Sequence, residues 1–459
     1  MKTTEVRIWG VRKKKGRGGK EAFEVRWSVA GRPISRSRAT KGLADKLRSQ
    51  LIMAVDAGEQ FDTVTGLPSS LEEEAPKRTW YEFALDYLRM KWPHASPNYR
   101  DEINEGLTAI TKAILPKTPE RPSDEVLQRA LRDWAFLLPG PKDRELPPPE
   151  RSVLTWIEEN SPPLAALADP AVLLGVVHAI ALRLDGEAAG AETAKRKRKT
   201  LVNALKYATQ IGEFEDNPLG RITMPTVLTV RQVDPRVVVN PEQATSLINA
   251  VSYVGGYERA RGRRLMGLFA GMYYAGLRPA EAVGVAEPDC TLPLQGWGQV
   301  VLHRTRPTVG KKWTKTGEAH DDRGLKNRAA QEVRVVPLPP QLVRIWNWSI
   351  ETFGTADDGR LFFNERGGLV GSSTYYRVWS EARQLALPPD LVKSPLAARP
   401  YDLRHAALSS WLNAGVPSTE VAERAGNSVE VLNARYAKCL HGRHVVANRL
   451  IENLYGEYE

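Results

Sequence analysis

Pro400-Tyr401-Asp402-Leu403-Arg404-His405, followed by Ala425-Gly426-Asn427-Ser428 and Ala434-Arg435-Tyr436-Ala437-Lys438, decides the fold of this 459-residue chain. Short helical patterns run between these points. Asp402 is placed to cap a helix in which Leu403, Ala407 and Trp411 recur at helical spacing, and Gly415 is placed to end it. Pro417 and Ser418 begin a second helix, with Val421 and Ala422 inside and Gly426 at its end. A third pattern uses Val429, Leu432 and Tyr436. Arg404, Asn427 and Tyr436 therefore lie on short helices or near their ends, where they can converge on one point.

Upstream, Tyr273-Tyr274-Ala275-Gly276-Leu277-Arg278-Pro279-Ala280-Glu281-Ala282 ends one apolar helix and starts another at once. Arg278 falls at the junction and is expected to point out of the core. Glu281 is placed to brace the turn or Arg278 itself. A strand–loop–strand pattern follows. Val300-Val301-Leu302 leads into a basic loop from Arg304 to Arg328, and Val333-Arg334-Val335-Val336-Pro337-Leu338 returns.

This layout resembles the catalytic domain of the tyrosine recombinase (phage integrase) family. The family pattern is His-x-x-Arg, then a Gly-His or Gly-Trp step, then a nucleophilic tyrosine about one helix later. By that resemblance Arg278 and Arg404 are the two catalytic arginines, Gly426-Asn427-Ser428 is the Gly-His step, and Tyr436 is the nucleophile. The family's hairpin lysine is Lys326, within Gly324-Leu325-Lys326-Asn327-Arg328, or else Lys315, within Thr314-Lys315-Thr316. Two positions depart from the pattern, Tyr401 where the first histidine is usual and Asn427 where the second is usual. Neither side chain titrates near neutral pH, so activity is expected to change little between about pH 6 and 8. His405 is the first candidate for any titration there, against the plainer reading of a packed structural histidine.

The resemblance implies DNA strand transfer with no cofactor, neither metal nor ATP. Two guanidiniums hold the scissile phosphate, Tyr436 attacks it, and the hairpin lysine protonates the leaving 5′-oxygen. Expected partners are double-stranded DNA attachment sites, further copies of the chain in a homotetramer, and a directionality or bending factor. The alternative is a DNA-binding regulator that keeps the fold without strand exchange. A helix-turn-helix repressor over Leu412 to Tyr436 would leave the Arg278 and Lys326 boxes unexplained.

Composition supports a polyanion partner. The chain has 65 Lys+Arg against 54 Asp+Glu, a net charge of +11. Residues 1–50 alone hold 15 basic and 4 acidic side chains, so the remainder is balanced. A basic N-terminal module on a neutral body suits nucleic acid. Cys290 and Cys439 are too few for a zinc knuckle or a disulfide framework. No stretch has the length and apolarity of a signal or membrane span, so a cytoplasmic location in a bacterial cell is expected. Ala166 to Leu184, the most apolar piece, reads as a buried helix.

Residues 4–11 and 22–28 alternate like strands, and Arg32, Ile34, Arg36 and Arg38 suggest a third. Between the first two, Lys13, Lys14, Lys15 and Arg17 belong to an expected mobile basic turn. Thr40 starts a helix through Leu43, Leu47 and Leu51. Farther on, Lys195, Arg196, Arg198 and Lys199 open a helix whose Leu201, Leu205 and Ala208 form one apolar face. Positive charge at a helix N-terminus opposes the macrodipole, and phosphate contact accounts for it.

The expected fold class is mixed and mainly α. It comprises a small β-sheet arm-type DNA-binding domain (1–61), a linker (62–78), a helical core-binding domain (79–221), an interdomain strap (222–235) and an α+β catalytic domain (236–459). Residues 116–190 exceed what the resemblance requires. The C-terminal pattern Val445, Val446, Leu450, Ile451, Leu454, Tyr455 is a helix that packs on its own domain or docks on a neighbour.

Overall fold

The computed structural model describes residues 2–15, 21–38, 40–63, 65–68, 70–71, 78–138, 145–224, 232–325, 332–439 and 443–455. The fold is mainly α with small β-sheets. The chain divides into two compact units, Met1–Thr229 and Val230–Glu459. No described helix is long and apolar enough to cross a membrane.

The N-terminal unit begins with a small antiparallel sheet. Strands β1 (Val6–Ile8) and β2 (Arg12–Lys15) lie one after the other along one edge of β3 (Glu21–Val29), and β4 (Arg32–Arg38) takes the other edge. The expected basic turn is thus corrected, because Arg12–Lys15 is a strand. The cause is Glu24, which is buried opposite Arg12 and accepts from Arg12 Nε at 2.8 Å and Lys14 Nζ at 3.1 Å. Alternate strand residues share a face, so both cations meet one carboxylate. Although burial opposes its ionisation, Lys14 and Arg12 hold the Glu24 carboxyl below its usual range. Arg17 and the Lys15 side chain lie outside the described residues.

Helix α1 (Lys41–Asp56) is capped by Thr40 Oγ1, which accepts from Leu43 N at 3.3 Å. It buries Ala44, Leu47, Leu51 and Ala54 in a core shared with Val25, Trp27 and Val29. Trp27 Nε1 donates to the Gly66 carbonyl at 2.7 Å, and Leu67 and Leu71 pack on the same core. The front of the expected linker is therefore packed, because a buried indole N–H needs an acceptor.

Next come α2 (Trp80–Lys91), α3 (Pro97–Ile114), α4 (Asp124–Ala130), α5 (Pro148–Asn160), α6 (Pro170–Ala179) and α7 (Ala191–Gln210). Thr79 and Glu82 form a reciprocal capping box on α2. Phe83 and Tyr87 of α2 meet Tyr207 of α7 at ring distances of 6.1 and 5.8 Å. The single buried helix expected over 166–184 is shorter. Asp169 caps α6 by accepting from Ala171 N at 2.8 Å, and Leu182 and Leu184 beyond it are exposed.

In the C-terminal unit, α8 (Pro241–Val251) starts at an Asn240–Gln243 capping box and leads to α9 (Ala260–Tyr274) and α10 (Pro279–Ala282). Strands β5 (Gly298–Leu302) and β6 (Arg334–Leu338) pair antiparallel, with the two-residue strand Cys290–Thr291 on the far side of β5. Then follow α11 (Pro340–Phe353), α12 (Ser372–Ala386), α13 (Tyr401–Asn413), α14 (Ser418–Ala425), α15 (Val429–Tyr436) and α16 (Arg443–Tyr455). One apolar core joins Leu268 and Phe269 of α9, Trp346 of α11, Trp379 of α12 and Leu403 and Leu408 of α13. Helix α13 is buried on nearly every side, so it is the unit's central element. It begins at Tyr401, and Asp402 lies inside its first turn instead of capping it. The Asp402 carboxylate accepts from Arg399 N at 2.8 Å and Arg399 Nη2 at 2.9 Å. On α16, Leu450, Ile451, Leu454 and Tyr455 are all exposed.

The α3–α7 crossing depends on Gly106, where an added Cβ would lie 2.5 Å from Thr200 Cβ and Oγ1. Gly106→Ala gains about 0.5–1 kcal/mol of helix propensity. Overpacking costs about 1–3 kcal/mol, which outweighs it. The variant should melt at a lower temperature than the wild type. A midpoint equal to or above wild type would show that the crossing yields.

Candidate active site

The site is assembled from the ends of short helices and one buried strand residue. Arg278 occupies the cap position before α10, with extended backbone at φ −72° and ψ 148°. Gly276, two residues earlier, has φ +60°, which reverses the chain after α9; an added Cβ there would lie 3.0 Å from Leu408 and Trp411. The turn delivers the Arg278 side chain to the end of α14. Its Nη2 donates to the Gly426 carbonyl at 2.9 Å and to Asn427 Oδ1 at 2.8 Å. Its Nη1 donates to Glu281 Oε1 at 2.7 Å, while its backbone N–H donates to Glu281 Oε2 at 2.8 Å. Glu281 therefore braces both the turn and the guanidinium. Arg278 is held inward by these bonds, with 21% of its side chain exposed, and does not project freely as expected.

Glu281 has a second partner. Arg334, the first residue of β6, donates from Nη1 to Oε1 at 3.1 Å and from Nη2 to Oε2 at 2.8 Å. Both residues are almost fully buried. Burial alone would raise the Glu281 pKa, but Arg334, Arg278 and Arg404 pull it down to about 2. Arg334 also abuts Gly426, which ends α14 at φ +62°; a Cβ there would sit 2.2 Å from Arg334 Nη1. Gly426 is thus required both by the left-handed backbone and by the guanidinium beside it.

Arg404 comes from the first turn of α13 and is 1% exposed. Its Nη2 donates to the Ala425 carbonyl at 2.7 Å, and its Nη1 donates to the Gly276 carbonyl. Burial and the nearby Arg278 lower its pKa. Tyr401, one turn earlier, is half-buried; burial opposes the Arg278 charge, but Glu281, with a smaller share from Tyr401, raises its pKa. Arg278 and Arg404 are therefore held on consecutive carbonyls, Gly426 and Ala425.

Tyr436, the last residue of α15, is 1% exposed, and its hydroxyl lies 2.9 Å from His405 Nδ1. His405 stands next to Arg404 and packs edge-on against the rings of Tyr401 and Tyr436. Burial pushes the Tyr436 phenol up to about 12, against the opposing pull of Arg404. Burial, with Arg435, Arg399 and Arg404, pushes His405 down to about 3. Both groups thus titrate outside pH 6–8.

Of the sequence candidates, Arg278, Tyr401, Arg404, Asn427 and Tyr436 come together here. Lys326 lies outside the described residues. Lys315 is exposed on the β5–β6 connection, which closes through Thr305–Arg323 and Thr308–His320 bridges. In the N-terminal unit, Lys195, Arg196 and Lys199 are exposed and Arg198 is half-buried at the start of α7. Lys13 and Lys14 project from β2.

One residue of the site, Arg334, and one contact, that of His405, were not read from the sequence. Arg334 was legible in principle. Period two places it on the same strand face as Val336 and Leu338, and a cation on an apolar face requires a buried carboxylate. His405 was singled out as a candidate for titration, but its contact with Tyr436 was not legible, because it joins helices 31 positions apart in sequence.

Glu281→Gln would leave Arg334 buried beside a neutral amide. Breaking a buried pair in this way costs about 3–5 kcal/mol, which urea unfolding of the full chain should register. A loss below about 1 kcal/mol would mean that the arginines find other partners. His405 gives a pH prediction. Its folded pKa is depressed below the ordinary 6.5, so the unfolded chain takes up the proton first as pH falls. Its contribution is complete above about pH 6.5 and is lost progressively toward pH 3. Glu281 adds its own loss only below about 4.5, toward 2. His405→Gln should flatten the fall in urea midpoint between pH 6.5 and 5, leaving a residual slope from His320, which burial also holds low. An unchanged slope would contradict the assignment.

No protein-family model matches this sequence, and no curated protein matches it. Among solved structures, the chain is similar to the Tn1549 transposon integrase in complex with circular-intermediate DNA. They share 18% identity over 66% of this chain and 92% of that one, with a TM-score of 0.46. It is similar to the XerH site-specific recombinase bound to a palindromic difH substrate, at 14% identity over 82% and 97% of the two chains and a TM-score of 0.49. It is also similar to the lambda integrase bound to DNA, at 12% identity over 78% and 96% and a TM-score of 0.42. These three solved structures are two integrases and a site-specific recombinase.

Proposed function

We propose that the chain is a site-specific DNA recombinase of the tyrosine type, the integrase of a mobile element, which cuts and rejoins DNA through a 3′-phosphotyrosine. The observation that carries this reading is the convergence of two guanidiniums and one phenol. Arg278 and Arg404 are anchored on adjacent carbonyls, and Tyr436 contacts the residue next to Arg404. Forked donors of fixed charge match the non-bridging oxygens of a phosphodiester and stabilise the charge that grows there during displacement.

In this reading the Tyr436 oxygen attacks phosphorus, the phosphotyrosyl bond forms, and the bond to the 5′-oxygen breaks. The phenol proton is lost to water as the field of Arg404 favours the phenolate, while His405 Nδ1, 2.9 Å away, orients the hydroxyl. The 5′-oxygen leaves as a hydroxyl with a proton from Lys326 or Lys315. A 5′-hydroxyl from another strand then reverses the step, so the bond energy is conserved without ATP.

Before DNA arrives, Tyr436 and Arg404 are covered and Arg278 is the more accessible arginine. Phosphate entry therefore begins at Arg278 and requires α15 to shift. Lys13, Lys14, Lys195, Arg196, Arg198 and Lys199 supply phosphate contacts along the DNA, which makes binding steeply salt-dependent. The exposed apolar face of α16 suits docking on another copy within a homotetramer on DNA.

The test is covalent trapping. DNA from the flanks of the gene is nicked so that the cleaved end diffuses away, and protein shifted by bound DNA is sought. The adduct should be lost in Tyr436→Phe and kept in Tyr455→Phe. Binding without an adduct, across several candidate sites, would favour the non-catalytic regulator.

A further inference from the structure

Residues 116–190 give no side chain to the site above, yet they wall a cavity of about 610 Å³ in the N-terminal unit. The rest of the wall comes from α3 and from Lys197 of α7. Lys112, Lys117, Arg121, Arg132, Arg183 and Lys197 line it, against two carboxylates, Glu105 and Asp124. With Asp101 beside Arg132 at 2.7 Å and Asp185 beside Arg183 at 3.1 Å, the carboxylates in and around the wall offset four of these six cations and leave a surplus of two. Asp124 is shared between Lys112 Nζ at 3.5 Å and Arg121 Nη2 at 2.8 Å, and Glu105 lies 4.0 Å from Arg196.

Lys197 is set apart from the exposed basic residues around it. It is half-buried, and its Nζ donates to the Leu182 carbonyl at 3.4 Å. Burial holds both Lys112 and Lys197 below the ordinary lysine range. Thr108 also lines the cavity, is 4% exposed, and has a hydroxyl with no hydrogen-bond partner among the described residues. Arg121 Nε is likewise buried and unpaired. An unpaired buried polar group is costly, so two of them beside a surplus of positive charge are groups that an oxyanion would satisfy.

We propose that this cavity binds a small phosphate-bearing molecule of nucleotide size, in a place separate from the DNA-cutting site. Its volume falls in the ordinary range for small-ligand sites, and its charge favours a multiply ionised oxyanion. The same phosphate chemistry could come from a DNA backbone, and the experiment separates the two sources.

Calorimetric titration of the full chain with pyrophosphate, and with ATP, at fixed ionic strength should give saturable binding of one ligand per chain. Arg121→Gln and Lys197→Gln should each weaken it at least tenfold while keeping the wild-type far-UV circular dichroism. Two variants are used so that the misfolding of one leaves the other decisive. Saturating duplex DNA should leave the pyrophosphate affinity unchanged. Absence of saturable heat, equal affinity in the folded variants, or displacement by duplex DNA would each overturn the proposal, the last by assigning the cavity to the DNA face.

Discussion

The Glu281 carboxylate lies between the Arg278 and Arg334 guanidiniums, and the arrangement of the site depends on its remaining ionised there. A lone carboxylate at this depth would take up a proton, and a lone guanidinium would be expelled toward water. Together they hold each other inside, and both carboxylate oxygens are used by Arg334. The pair also ties three distant segments into one rigid junction: the turn after α9, the start of β6 and the end of α14. Arg278 is aimed because Glu281 cannot move, and Glu281 cannot move because Arg334 is embedded in a strand.

The end of α14 carries the next part of the logic. A helix C-terminus exposes carbonyls that lack intrahelical donors, and here those orphans accept from arginines. Ala425 and Gly426 offer their carbonyls to Arg404 and Arg278, so the spacing of the two guanidiniums is set by one peptide step. The positive φ at Gly426 turns the chain away and opens the space that Arg334 fills. Side-chain chemistry is thus positioned by main-chain geometry, which tolerates drift in the surrounding sequence better than a network of side chains would.

Most of this was legible where local rules apply. The helix start at Thr40, the start of α14 at Pro417 and its end at Gly426 follow from turn and cap chemistry, and the structure places them there. That Arg404, Asn427 and Tyr436 can converge followed from the helical patterns, and the family resemblance added Arg278. What was not legible depended on partners remote in sequence. Arg12–Lys15 became a strand because of Glu24, and the front of the 62–78 segment folded down because the Trp27 indole needed an acceptor. The α13 start moved by two residues because Asp402 bonds backward to Arg399 instead of forward. Each case is a long-range or buried polar contact overriding a local preference.

The charge balance of the site bears on the proposed chemistry. Around the reaction point stand three guanidiniums, Arg278, Arg334 and Arg404, and one neighbouring carboxylate, Glu281, a surplus of two positive charges. A phosphodiester carries one negative charge, and a transition state in which a phenolate oxygen has joined phosphorus carries close to two. In the proposed reaction the surplus would match the transition state better than the bound substrate, which is the condition for catalysis instead of mere binding. In the unliganded chain the same surplus is met by carbonyl dipoles, and Tyr436 remains protonated because burial outweighs the field of Arg404. Displacing those carbonyls with phosphate oxygens exchanges partial charges for full ones inside a low-dielectric site, where each is felt most strongly. In the proposed reaction, the energy that drives Tyr436 is then set by the arginines in advance, and the phosphodiester supplies the anion.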